Sequence, residues 1–295
     1  MTLAIGLSVL AAFLWAITNI LDKTLVSRYF DDVRSLYIPI SLTEFVFGVA
    51  SLSISWAIFE PGHFVLAIVG GGAFVVMGYT YFHAAKIEDI SRVAPLFAIV
   101  PVSTAILSAI FLREIFSPIT YAGIGLIVCG AMLIMFRGSV RMIFQSRALG
   151  LMLLSAVVVS FYIVIMKYLL EYYSFWSVFG WLSVFSGLIG TLLFSRHWNI
   201  LLIQVKTKGA KGPWLAVLSE TLSSSAGLIS TLASSLWFVT IVSAVSTVQY
   251  VFVFVFSLII SRYRPNLFRE EISPKIALQK IFAIALIIAG LLVVS

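Results

Sequence analysis

The stretch "SETLSSSAG" at residues 219–227 places one carboxylate and several hydroxyls inside a long apolar run. A charged side chain at membrane depth costs at least about 2.5–3.5 kcal/mol, so such a residue usually faces a cavity or a polar partner. At helical spacing, one face collects Glu220, Ser223, Ser224, Gly227, Thr231 and Ser234. This face predicts a polar cavity wall, although a row of small residues also allows two helices simply to pack closely.

A carboxylate in such a wall has two chemical states to offer. When ionised, Glu220 can accept hydrogen bonds from Ser223, Ser224 or a substrate amine, and when the cavity dries it can take up a proton and lose its charge. A proton and a cationic substrate would then compete for one group, which is a physical basis for exchange. We therefore predict that Glu220 is a coupling residue and that Glu220, Ser223 and Ser224 contact the substrate.

Other spans offer further candidates for the same cavity. The predicted substrate-binding set is completed by Trp15, Asn19, Tyr79, Gln249 and Tyr250. Aromatic side chains combine apolar area with a polar tip, which suits an amphipathic solute. Asn19 and Gln249 are equally explained by hydrogen bonds between helices. The cavity is expected to be lined by the first, third, fourth, sixth, eighth and ninth spans.

Two more carboxylates lie in or beside spans. Glu44, in "LTEFVFG", stands about two turns from the start of its span, and we interpret it as snorkelling to the interface or making a structural hydrogen bond. Asp22 and Lys23 end the first span. They are explained either by a pathway-lining helix or by an interfacial ion pair, and the second reading is favoured for Lys23.

The composition excludes a soluble domain. Of 295 residues, 61% are hydrophobic and only 11% are charged, which indicates a multi-pass membrane protein. The net charge of +7 lies in short bursts between apolar runs, so a nucleic-acid partner is not expected. The lone Cys129 cannot form an intramolecular disulfide. No phosphate-binding loop, dinucleotide fingerprint, metal-spaced cluster or catalytic set is found, so neither a cofactor, a metal, an enzymatic activity nor an ATP-driven pump is expected.

Ten stretches are long enough to cross roughly 30 Å of hydrocarbon. They are residues 3–21, 36–58, 64–83, 91–112, 117–136, 148–166, 174–194, 214–239, 243–261 and 277–294. No cation is expected inside them. We assign 17 of the 19 Lys and Arg residues to odd-numbered loops, counting Lys280 near the start of the last span with the loop before it, and Arg113 and Lys167 are the other two. Odd loops, including 137–147 and 195–213, should therefore face the cytoplasm and both termini the outside.

The two halves of the chain resemble each other. Residues 4–29 match residues 148–173 at an offset of 144, including Gly6 with Gly150 and Lys23 with Lys167. Later, "REIFSP" at 113–118 matches "REEISP" at 269–274. We predict two five-helix repeats over 1–140 and 145–295, and the odd number of helices inserts the second upside down. Inverted repeats are typical of transporters that bind substrate near the bilayer midplane.

Several of these segments resemble a known family. "FLWAITNILDKTLVSRYF", "ISRVAPLFAIVPV" leading into "FLREIFS", and "VQYVFVFVF" followed by "EEISPKIALQKIFAIALIIAGL" are similar to the EamA-type branch of the drug/metabolite transporter superfamily. They look closest to a bacterial and archaeal subgroup that often has Asn-Glu where this chain has Ser219 and Glu220. The resemblance implies an all-α membrane protein of ten helices in two inverted repeats, with secondary active transport of small metabolites.

The sequence thus predicts a secondary active transporter of a small polar or amphipathic metabolite across the cytoplasmic membrane, as an exporter or an exchanger. The alternative is a flippase for a lipid-linked intermediate, which would need cationic groups for a phosphate headgroup. The expected partners are the small-molecule substrate and the lipid bilayer, and the protein is expected to be a monomer or a homodimer.

Overall fold

A computed structural model describes residues 1–87, 94–135, 148–263 and 274–294, and these are almost entirely helical. Within these ranges, seven helices are long and apolar enough to cross a membrane, and three shorter apolar helices span Phe97–Phe111, Pro118–Ile134 and Leu278–Val294. Together they account for the ten predicted spans. The fold class predicted from the sequence is therefore confirmed.

Within the described residues, the first half contributes five α-helices. They are α1 (Thr2–Thr24), α2 (Val33–Ile54), α3 (Pro61–Ile87), α4 (Val100–Phe111) and α5 (Pro118–Met135). A π-helical segment, Leu25–Tyr29, continues α1, and a 3-10 segment, Ala94–Ile99, precedes α4. Pro101 lies in the first turn of α4. Proline has no backbone N–H, and at this position an N–H would have no acceptor within the helix.

The second half follows the same plan. Its helices are α6 (Leu149–Leu169), α7 (Phe175–Phe194), α8 (Lys211–Leu236), the two-part ninth span α9a (Val239–Ser246) and α9b (Gln249–Tyr263), and α10 (Pro274–Val294). The ninth span begins four residues earlier than predicted, and it is interrupted at residues 247–248.

A helix that the sequence did not predict, Trp198–Lys208, joins α7 to α8. Its Gln204 amide donates to the Tyr29 carbonyl, and Lys208 Nζ lies 2.6 Å from Asp31 Oδ2. The hydrogen bond from Lys208 holds the pKa of the exposed Asp31 carboxyl below its ordinary value. This connecting helix is therefore attached to the end of α1.

The helix contacts pair in the way that the predicted internal repeat would produce. Each helix has a counterpart in the other half, α1 with α6 and α3 with α8. Exchanging counterparts converts the contact of α1 with α8 into that of α6 with α3. The two largest contacts, α2 with α7 and α5 with α10, each join a helix to its own counterpart, so the exchange leaves them unchanged. This exchange is expected of two inverted five-helix repeats. The predicted boundary between the repeats, at residues 140–145, lies outside the described residues.

Glycines permit the closest of these approaches. A Cβ added to Gly48 of α2 would lie 2.6 Å from the backbone nitrogen of Val184 in α7. A Cβ on Gly290 of α10 would lie 2.6 Å from the carbonyl oxygen of Gly123 in α5. Real Cβ atoms do not come so near, so both contacts between equivalent helices require glycine.

One charge expectation was wrong. Lys280 was placed among the loop cations, but it lies inside α10 and only 4% of it is exposed. Its Nζ is 3.7 Å from the centre of the Phe254 ring. A ring face attracts a cation, and this attraction helps to offset the cost of burying the ammonium group.

Candidate functional site

A cavity of about 260 Å³ lies at the centre of the helices. Its walls come from all six predicted spans and, in addition, from α2 and α7. Asp22 of α1 marks one end, called here the Asp22 end, and Ser234 of α8 lies toward the other, the Ser234 end. Enclosed pockets that combine apolar walls with a few convergent polar groups are the usual form of small-molecule sites.

Two buried carboxyl groups meet in this cavity. Glu44 of α2 is 5% exposed and Glu220 of α8 is 8% exposed. The Ser224 hydroxyl lies 2.7 Å from Glu44 Oε2 and 3.1 Å from Glu220 Oε1. Ser183 of α7 donates to the other Glu44 oxygen at 2.7 Å. We call Glu44 and Glu220 the carboxyl pair.

The Ser224 hydroxyl has one hydrogen, so it can donate to only one carboxylate at a time. Its other contact is a hydrogen bond only when the second carboxyl group carries a proton and donates to the Ser224 oxygen. Two anions this close would also repel strongly in a medium of low dielectric constant. One proton shared by the carboxyl pair satisfies both the hydrogen bonds and the charge.

A second polar group connects three helices. The Tyr81 hydroxyl donates to Asn19 Oδ1 at 3.0 Å, and Asn19 Nδ2 donates to the Trp15 carbonyl at 2.8 Å. The same amide lies 3.5 Å from Gln249 Oε1, the limit for a hydrogen bond. Asn19 and Gln249 thus line the cavity and also connect helices. A position on the cavity wall and an interhelical contact are therefore compatible for these two residues.

The charged side chains among the described residues of the cavity wall are all acidic. Asp22 also lines it and accepts a hydrogen bond from Ser219 at 2.8 Å, which does not fit an interfacial ion pair alone. None of the described lining residues is Lys, Arg or His. Nine of them are aromatic: Trp15, Tyr37, Phe74, Tyr81, Phe82, Phe97, Tyr162, Phe179 and Tyr250. Carboxylates and ring faces are the groups that attract cations.

The Ser234 end differs from the rest of the cavity. The Ser234 hydroxyl is buried on the wall and has no hydrogen-bond partner within the described part of the chain. Lys167 of α6 donates to the carbonyls of Ser234 at 2.7 Å and Trp237 at 2.9 Å. Lysine here holds the C-terminal end of α8, where free carbonyls and the helix dipole favour a cation.

Glu114, which follows α4, holds the start of α9a. Its carboxylate accepts from the N–H groups of Val239 at 3.2 Å and Thr240 at 3.4 Å, and from the Thr240 hydroxyl at 3.0 Å. The preceding Arg113 has a φ of 55°, a left-handed conformation that costs about 1–2 kcal/mol for a residue with a side chain. We call this arrangement the Glu114 cap. It satisfies donors that a helix start leaves free.

The structure brings seven of the eight predicted site residues to the cavity: Trp15, Asn19, Glu220, Ser223, Ser224, Gln249 and Tyr250. Tyr79 is not among the described lining residues. Its ring packs against Phe194, 5.3 Å between centroids, and His83. Tyr81 lines the cavity instead, because two residues along a helix point to nearly opposite sides.

Of the two readings of Glu44, the structural hydrogen bond is confirmed, but its place on the cavity wall beside Glu220 was not predicted. The carboxylate does not snorkel to the interface, since it is buried and hydrogen-bonded to side chains of α7 and α8. Tyr37 was also missed; its hydroxyl occupies the space that a side chain on Gly78 would need. The one usable signal was that Glu44 and Glu220 were the only carboxylates well inside predicted spans.

A helical membrane fold with a polar central cavity is an arrangement that solute transporters use. Residues 2–136 match the EamA-like transporter family, which confirms the resemblance to the drug/metabolite transporter superfamily predicted from the sequence. Members of this family are membrane transporters of small molecules and not enzymes.

The comparison with solved structures concerns the fold. One crystal structure, titled only as that of a protein, superposes with a TM-score of 0.69 over 99% of this chain and 95% of its own, at 17% identity. At this identity the likeness shows the fold alone. No curated protein matches the chain.

Proposed function

We propose that the protein is a secondary transporter of the cytoplasmic membrane that moves a small amphipathic organic cation through this cavity in exchange for a proton. The observation that carries the proposal is the carboxyl pair, whose two groups contact one hydroxyl. The cation and the shared proton compete for the carboxyl pair, so only one of them is bound at a time.

The walls support a cationic solute. Three carboxylates, several ring faces and no described basic side chain line the cavity. Hydroxyls on α8 stabilise the pair in either protonation state, because a hydroxyl can rotate and both donate and accept. The topology predicted from the basic residues of odd-numbered loops has the Asp22 end facing the cytoplasm, and competition between cation and proton at the carboxyl pair supports exchange, which an inward proton gradient would turn into export.

The test uses proteoliposomes that enclose a pH-sensitive dye. Butyltrimethylammonium is a suitable probe because it is permanently charged and cannot cross the bilayer as a neutral amine. Its entry in exchange for protons should raise the internal pH. Glu220→Gln keeps the shape of the side chain but removes the charge, so the rate should fall about ten-fold or more, equivalent to about 1.4 kcal/mol.

The matched control is Glu60→Gln, which neutralises an exposed carboxylate between α2 and α3. This variant should exchange at the wild-type rate. If Glu220→Gln exchanges as fast as the wild type with and without an imposed pH gradient, Glu220 is only a packing residue and the coupling proposal fails.

The flippase alternative is less well supported. A phosphate headgroup needs cationic or N–H donors, and the described cavity wall offers carboxylates instead. A screen in which only lipids with phosphate headgroups raise the melting temperature of the purified protein would favour the flippase.

A further inference from the structure

Asp22 forms a second anionic position in the same cavity, distinct from the carboxyl pair. Its Oδ1 accepts from the Ser219 hydroxyl at 2.8 Å, and Ser219 is 3% exposed. The carboxyl pair is centred on the Ser224 hydroxyl instead. Both positions lie on the wall of one continuous cavity.

The spacing of the two positions follows from α8. Ser219 and Ser224 are five residues apart, so their positions are about 7.5 Å apart along the axis of α8 and about 140° apart around it. Asp22 contacts the first hydroxyl and the carboxyl pair the second. Two negative positions are therefore separated by at least about 7.5 Å, the length of an alkyl chain of five or more carbons.

The wall supplies what the ends and the middle of an elongated cation need. Trp15 and Tyr81 offer apolar ring surface for methylene groups, and no described lining residue is basic. The buried Ser234 hydroxyl on the same wall, without a partner among the described residues, independently indicates a cavity that receives a polar ligand.

We propose that the cavity binds a linear dication, with one ammonium group at Asp22 and the other at the carboxyl pair. This inference rests on the proposed function and names its substrate class. Carbon–carbon bonds of about 1.5 Å advance about 1.25 Å each along an extended chain, so at least about five methylenes are needed to span the 7.5 Å or more between the two positions.

The experiment measures the melting temperature and calorimetric affinity of the purified protein in a non-ionic detergent. The probes are α,ω-diaminoalkanes from two to ten carbons and the monoamines of equal carbon number. Affinity should peak at a chain length of five carbons or more, and the best diamine should bind about ten-fold more tightly than its monoamine, because the second contact is made within one complex.

Asp22→Asn should reduce the diamine affinity to that of the monoamine and leave the monoamine unchanged. Glu220→Gln should weaken both. Asp31→Asn, which removes an exposed carboxylate paired with Lys208, is the matched control and should change neither. The chain-length profile of the wild type tests the proposal even if Asp22→Asn does not fold.

The outcomes separate the two proposals. Equal binding of diamines and monoamines, or no optimum in chain length, would overturn the dication while leaving a cation transporter in place. If none of the amines binds, the proposed function itself fails.

Discussion

Two carboxylate sites in this protein are equally buried and differ in chemistry. Glu114 is 7% exposed and Glu220 is 8% exposed, so both are removed from water to the same extent. The Glu114 cap, however, is built mostly from backbone donors. The carboxyl pair is held by the hydroxyls of Ser183 and Ser224.

The two kinds of donor respond differently to a proton. A backbone N–H at a helix start can only donate, and its direction is fixed, so it stabilises the ionised form of Glu114 alone. Lys167 is close enough to add its positive charge. A hydroxyl can turn and accept, so Ser224 stabilises the carboxyl pair both before and after proton transfer.

The comparison teaches that burial alone does not make a carboxylate a transport group. The Glu114 cap is a fixed charge that joins α4 to α9a, and the carboxyl pair is a group that can change its protonation. Substitutions at the two sites should accordingly affect different properties, namely stability at the first and exchange at the second.

The largest effect is expected for Glu114→Ala. The N–H groups of Val239 and Thr240 would lose their acceptor while buried, so the free energy of unfolding should fall by about 2–4 kcal/mol. Tryptophan fluorescence during denaturation in detergent measures it, and Glu60→Gln serves as the unchanged control. Glu220→Gln should stay within about 1 kcal/mol of the wild type. The reverse ranking would break the comparison.

Glu44→Gln tests the carboxyl pair from its other side. With one carboxyl group left, no proton is shared, so binding of butyltrimethylammonium should release none, whereas the wild type should release about one. Gradient-driven exchange should slow about ten-fold, equivalent to about 1.4 kcal/mol. Calorimetry in two buffers of different ionisation enthalpy counts the protons. A variant that still releases one proton per cation would show that Glu44 is only a structural acceptor.

The sequence could predict the helices and one wall of the site. Apolar runs of sufficient length define the spans, and the polar face of α8 is visible because its residues recur at helical spacing. Glu44 has no such companions on α2; its partners are Ser183 and Ser224, 139 and 180 residues away in the chain. Only tertiary packing brings them together.

The same limit explains Tyr79 and Glu114. Tyr79 and Tyr81 are both aromatic and close in sequence, and only the packing of α3 against its neighbours decides which one faces the cavity. Glu114 lies in a short loop, where a carboxylate is usually solvated. The match between "REIFSP" and "REEISP" marked Glu114 as part of the predicted repeat. It did not indicate which groups the Glu114 carboxylate contacts.

Lys167→Met should have a smaller effect at the Ser234 end. Methionine keeps the apolar stem but leaves the carbonyls of Ser234 and Trp237 without their donor, so the free energy of unfolding should fall by about 1 kcal/mol. A cysteine at Ser230 in a Cys129→Ser background should also react faster with an impermeant maleimide added outside. Lys211→Met, at the start of α8, is the control. Unchanged labelling and stability together would mean that Lys167 does not hold this end.

The smallest effect is expected for Ser224→Ala. The substitution removes the hydroxyl between Glu44 and Glu220, yet Ser183 still donates to Glu44, and a water molecule can replace the lost contact. Exchange of butyltrimethylammonium should slow about two- to five-fold, or about 0.5–1 kcal/mol, because a typical hydrogen bond contributes about that much. Folding should be unchanged.

The neighbouring Ser225→Ala is the matched control for this variant. Ser225 donates to the Thr221 carbonyl of its own helix at 2.7 Å and is not among the described lining residues, so exchange should keep the wild-type rate. If both variants slow exchange equally, the effect belongs to α8 packing and not to the carboxyl pair. If only Ser224→Ala slows exchange, and less than Glu220→Gln does, the hydroxyl assists a proton that the carboxyl groups themselves hold.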